Sequence, residues 1–165
     1  MKARKLLPVL ILVLSAVLGA ARAAAPAGGA GFSFSDWQVS TGQLDANWAT
    51  GAFSTPGHIV LTRTGSSIEA DHANGNFKSH QATLNGNVVL HDSNGVLTGF
   101  AGQGPSRVPA TLTCDNLNID GGTKTYIATG NVHFTQGGRT MCAGRAVMNG
   151  LTHEIHLYDH VQLTQ

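Results

Sequence analysis

Eight histidines and two cysteines are the side chains of this 165-residue sequence most able to do chemistry. The tightest group is His153-Glu154-Ile155-His156. A helical zinc site needs two histidines four apart on one face, with the glutamate serving as base. Here they are three apart in a segment that alternates like a strand, where they point to opposite faces. His91 and His133 fall in separate segments that nothing in the pattern brings together. The histidines are therefore expected on solvent-facing strand faces, with no metal and no cofactor. The stretch from Gly99 to Gly104 lacks the lysine and the strand-to-helix setting of a phosphate loop. No Ser-His-Asp spacing and no paired catalytic carboxylates stand out, so the chain reads as non-enzymatic.

The elements behind these residues are strands. The chain is rich in Gly, Thr, Val and Asn and poor in charge, and little of it carries a helical period. The exception is the N-terminus. Lys2, Arg4 and Lys5 precede an apolar run from Leu6 to Ala21, and Ala21-Arg22-Ala23 offers a small-x-small cleavage pattern. That run is short for the roughly 20 residues that span a bilayer. Residues 1–23 are thus expected to be a cleavable signal peptide, residues 24–31 a flexible leader, and 32–165 one domain. From Ala24 onward six basic residues face nine acidic ones, a formal charge of −3. No basic stripe remains, which argues against nucleic-acid binding.

The domain repeats. LNGNVVL (84–90) and ATGNVHF (128–134) share a Gly-Asn corner leading into an alternating apolar run. Fifteen residues before each corner glycine stand Asp71 and Asp115. The same frame fits Gly42 with Gly57-His58-Ile59, and Gly144 with Asp159-His160-Val161. Three residues before these anchors stand Val39, Ile68, Leu112 and Met141; nineteen after them stand Leu61, Leu90, Phe134 and Leu163. Intermediate columns are apolar too. The apolar parity shifts at the anchor and at the later turn, so each unit reads as about four short strands. Four units give about sixteen, stacked so that neighbours supply one another's core. The expected fold is all-β: an elongated, slightly twisted antiparallel β-jellyroll, with a parallel β-helix as the structural alternative. The corner is a bend, so Asn87 and Asn131 are not counted as site residues.

The register also bears on the cysteines. Cys114 shares an inward column with Ala70 and Ala143, whereas Cys142 shares an outward one with Glu69 and Thr113. An oxidising compartment favours a disulfide, but opposite faces hold the two apart unless a bulge intervenes. The long link from Ser93 to Ala110 is expected to be a loop folded over one sheet edge.

The GNV corners and Asp-led units, above all CDNLNIDGGTKTYIATGNVHFTQGG and CAGRAVMNGLTHEIHLYDHVQL, resemble the OstA-like domain of lipopolysaccharide transport, the LptA and LptC family. The resemblance covers Phe32 to Gln165, with the first unit the most divergent. It implies a periplasmic protein that shelters the acyl chains of lipopolysaccharide in an apolar groove and bridges inner- and outer-membrane export components. The lining expected for that groove is Ile59, Leu61, Ile68, Phe77, Leu84, Val88, Leu90, Leu112, Leu117, Ile119, Val132, Phe134, Ile155 and Leu157. The resemblance further implies edge-strand pairing with LptC-like and LptD-like jellyrolls, and end-to-end self-association. Phe32, Phe34 and Val39 at one end, and Val161 and Leu163 at the other, are the expected partner edges. The alternatives are a membrane-anchored LptC-like component and a secreted β-solenoid enzyme or adhesin acting on polysaccharide.

Overall fold

A computed structural model describes residues 30–93 and 108–164. The expected signal segment, most of the leader and most of the 93–110 link lie outside them. The described chain holds no helix and thirteen strands in one sheet. The strands are β1 (Ala30–Phe34), β2 (Trp37–Thr41), β3 (Asp45–Ala46), β4 (Ala52–Thr55), β5 (Ile59–Arg63), β6 (Ser66–Ala70) and β7 (His72–Asn76). Four long ones follow: β8 (Gln81–Asp92), β9 (Ala110–Asp120), β10 (Thr125–Gln136) and β11 (Arg139–Asn149). β12 (Glu154–Tyr158) and β13 (Gln162–Thr164) close the series. β1 begins at Ala30, slightly ahead of the expected start of the domain.

The sixteen expected arms are all present. They merge to thirteen strands because in each of β8 to β11 two arms run on through a bend as one strand, and because β1 adds one. Each long strand serves two walls. The first half of β8 pairs with β7 and its second half with β6; the two halves of β11 pair with β13 and β12. One wall is β1-β2-β5-β6 continued by the second halves of β8 and β10 and the first halves of β9 and β11, ending on β13. The other is β3-β4-β7 continued by the remaining halves, ending on β12. All pairings are antiparallel, which excludes the parallel β-helix.

The bend has a local cause. Gly86 and Asn87 take φ of 76° and 45°, and Gly130 and Asn131 take 75° and 46°. Two successive left-handed residues break the register between Asn85 and Val88, and between Thr129 and Val132. Asparagine tolerates this region better than other side chains, and glycine best. The anchors fifteen residues upstream complete the corner. Asn87 donates its side-chain amide to Asp71 at 2.7 Å and Asn131 to Asp115 at 3.0 Å. A Cβ on Gly86 or Gly130 would meet the same carboxylate at 2.5 or 2.4 Å. In the last unit Asp159 and His160 are the left-handed pair, and the Gly144 N–H donates to the Asp159 carbonyl.

Candidate functional site

Inward side chains of the first wall fall in one row. Cross-strand register joins Phe32, Val39, Leu61, Ile68, Leu90, Leu112, Phe134, Met141 and Leu163. At about 4.8 Å per strand this is an apolar stripe of roughly 38 Å. The facing wall contributes Ala73, Leu84, Leu117, Ala128, Ala146 and Leu157 in one row. Phe53, Gly75, Ala82, Ile119, Tyr126, Met148 and Ile155 form another. The two walls pack as one core.

The groove lining expected from sequence is therefore brought together. Ile68, Leu84, Val88, Leu90, Leu112, Leu117, Val132 and Phe134 are fully buried, and Ile59, Leu61, Ile119 and Ile155 nearly so. Phe77 and Leu157 pack at its margin. In this state the walls are closed on each other, and room for a ligand requires them to part.

The two ends differ. Near the N-terminus the interior is capped by rings: Phe77 stacks on Phe53 at 4.7 Å and on Trp48 at 5.4 Å, and Phe32 meets both Phe53 and Phe77 edge-on. At the C-terminal end the stripe reaches water. Leu163 is 56% exposed and Val161 50%, and among the described residues β12 and β13 each pair on one side only. Of the partner-edge residues expected at the first end, Phe32 lies on the edge strand β1 and Phe34 is buried in the core. Val39 is not an edge residue, because β2 is bonded on one side to β1 and on the other to β5.

Opposite the bends lies a seam where the walls meet through turns. On the second wall these turns share one construction. Asn47, Asn76, Asp120 and Asn149 each accept, through the side-chain oxygen, the N–H groups two and three residues on. Each turn ends on a left-handed residue: Gly51, His80, Lys124 and His153. Successive turns are stitched, with the N–H of Phe77, Gly121 and Gly150 donating to the carbonyls of Gly51, His80 and Lys124. His153 is thus a turn residue ahead of β12 rather than a strand residue. His156, on β12, lies 3.8 Å from Glu154. Among the described residues no three His, Cys, Asp or Glu gather as a metal site would require.

The β1–β2 turn crosses the seam. Lys124 donates to Asp36 at 2.9 Å and to the Ser35 hydroxyl, and Arg63 donates to Asp36 at 2.7 Å. The Ser35 hydroxyl donates to the Gly121 carbonyl, and the buried Trp37 indole donates to the Tyr126 hydroxyl at 3.3 Å. Arg63 lies over the Trp37 ring. Partial burial alone would raise the Asp36 carboxyl, but Lys124, a backbone amide and Arg63 outweigh it and hold it below the usual carboxylate range. Burial pushes the Tyr126 hydroxyl up. This clasp escaped the sequence reading because Asp36 and Lys124 are 88 residues apart.

The cysteines follow the register. Cys114 is buried and its thiol is pushed up to about 12, chiefly by burial and then by the neighbouring Asp115 charge. Cys142 faces outward against His133, with Sγ 3.2 Å from Nδ1. Both thiols are free.

A chain whose described residues form thirteen antiparallel strands, two walls and a bend in each long strand has a solved counterpart. It is similar to the crystal structure of LptH, the LptA homologous periplasmic component of the lipopolysaccharide transport device of Pseudomonas aeruginosa, with a TM-score of 0.66. The match covers 79% of this chain and 98% of that one at 9% identity. The fold is LptA-like. No family profile and no curated protein matches the sequence. In this LptA-like jellyroll the recurring corner, the apolar stripe and the last strands bonded on one side are features of the chain's own residues.

Proposed function

We propose that this protein is a periplasmic lipopolysaccharide carrier, exported by a cleavable signal peptide and without enzymatic activity. The observation that carries the reading is the apolar stripe from Phe32 to Leu163, which comes into water on β13, bonded on one side among the described residues, in an LptA-like fold. Acyl chains enter as the walls part at the seam and replace side-chain contacts with contacts of the same kind. Each sheltered CH₂ gains roughly 0.8 kcal/mol, and neighbouring positions along the stripe are nearly equivalent, so a chain is held yet free to slide. The sugars stay in water.

The free sides of β12 and β13 offer backbone donors and acceptors to another strand. Pairing there with LptC-like or LptD-like jellyrolls, or with a second copy, would continue the stripe from one molecule to the next. The protein would then bridge inner- and outer-membrane components.

The test places photo-crosslinkers at Leu90 and Phe134 in cells and analyses the purified protein by native mass spectrometry. Lipopolysaccharide adducts at both positions are expected. Adducts at no interior position, with lipid-free protein throughout, would sink the reading.

A further inference from the structure

The outer face of the second wall carries a groove of about 670 Å³ whose floor is β4, β7, β8, β9 and β10, within the size range of small-ligand sites. Its side chains come from two outward rows. One runs through Asn74, Thr83, Asn118 and Ile127, the other through Asn76, Gln81, Asp120 and Thr125. The stitched turns add Ser79 and Thr123 at the rim.

We infer that this groove binds uncharged sugar residues of the glycan carried by the same lipid; this rests on the carrier reading above. Amide and hydroxyl side chains both donate and accept, as a sugar hydroxyl does. Thr83 donates to the Asn118 side-chain oxygen at 2.7 Å, which leaves the Asn118 amide group to donate outward. Asp120 is fixed by the Gly122 and Thr123 amides at 2.9 and 3.0 Å, a rigid acceptor for hydroxyls. Ile127 supplies an apolar surface for a ring's C–H face.

A phosphate fits poorly. Among the described residues the only charged one in the lining is Asp120, and the nearby Lys78 and Lys124 ammonium groups are turned to Ala49 and to Asp36. Location ties the groove to the seam. Its rim includes the turn after Asp120, which holds the β1–β2 clasp, so a head group outside the parted walls would meet this rim first.

The test titrates the full mature protein with delipidated, dephosphorylated core oligosaccharide and follows backbone and side-chain amide NMR signals. Signals of Asn74, Gln81, Asn118 and Thr123 should move, and those of the opposite outer face should not. The Asn74→Ala/Asn118→Ala variant, altered only at exposed positions, should bind about tenfold more weakly, as expected for two lost hydrogen bonds. Unmoved signals at millimolar oligosaccharide, or equal shifts in the variant, would overturn the proposal. Lipid A without the core oligosaccharide is the separate arm. If it is retained while the oligosaccharide fails, only the groove is refuted; if it is not retained, the carrier reading falls as well.

Discussion

Neutralising Asp36 should loosen the seam without unfolding the jellyroll. In Asp36→Asn the carboxylate loses its charge towards Arg63 and Lys124 but keeps its shape. The Asp36 side chain is 42% exposed, so both ion pairs are screened and together contribute about 1 kcal/mol rather than a buried pair's several. That corresponds to roughly a fivefold rise in the population with the clasp open, and to a fall in Tm of about 4 °C if the loss reaches global stability. Hydrogen exchange would read the difference. Amides of Phe34 to Trp37 and Gly121 to Lys124 should exchange about fivefold faster, while the central amides of β9 and β10 keep wild-type protection. Asp36→Asn and Lys124→Gln should be non-additive, because they remove one shared contact. Gly121→Ala reaches the same seam by sterics, since its Cβ would meet the Ser35 Cβ at 2.8 Å. The sign in pH follows from the lowered Asp36 carboxyl: its contribution is complete above the ordinary value of 3.8 and is lost as pH falls through the lower folded value. The clasp therefore holds throughout the neutral range and yields only as the pH falls below the ordinary carboxylate value. Unchanged exchange at both turns in Asp36→Asn, or uniform acceleration across the whole sheet, would refute the reasoning.

Gly86→Ala and Gly130→Ala should each cost about 2 kcal/mol or more in urea unfolding, because a Cβ there adds left-handed strain to a clash with the anchor aspartate. Native protein should consume one equivalent of a thiol reagent, at Cys142, and a second only in denaturant; labelling of Cys114 at the native rate would contradict its burial. Stability should also decline above the ordinary thiol value of 9.0, since the unfolded chain ionises Cys114 while the fold holds it up near 12. Leu112→Ala should destabilise by about 3 kcal/mol, whereas the half-exposed Leu163→Ala should cost under about 0.5 kcal/mol and instead weaken end-to-end or partner association in crosslinking.

The apolar half of this architecture was legible because a two-walled sheet imposes a strict column on every repeat. Val39, Ile68, Leu112 and Met141 alternate along one row with Leu61, Leu90 and Phe134 for the same reason that they align in sequence. The turns carry an equally regular polar column, Asn47, Asn76, Asp120 and Asn149, each five residues past its anchor. An aligned search for capping side chains, and not only for apolar ones, would have found the rim of the seam. The clasp leaves no such trace. Its partners come from the β1–β2 turn, which precedes the first arm of the first unit, from Arg63 at the end of that unit and from one turn of the third, so no period relates them. The separation of Cys114 from Cys142 followed from parity alone. The placement of His153 did not, because a left-handed turn residue ahead of β12 breaks the alternation that the flanking sequence suggests.

The four bent strands carry a mechanical consequence. Covalent chain crosses from wall to wall in β8, β9, β10 and β11, fixed at corners whose asparagine, aspartate and glycine geometry resists change. The walls cannot shear past one another without breaking that spine, so their softest relative motion is rotation about it, like covers about a binding. Rotation opens the seam by an angle, and the gap is widest at the turns and vanishes at the corners. A ligand is thereby admitted according to its thickness and not its length. Because the clasp and the ring cluster sit towards the first strands, the covers also lift more readily at the end that carries Leu163.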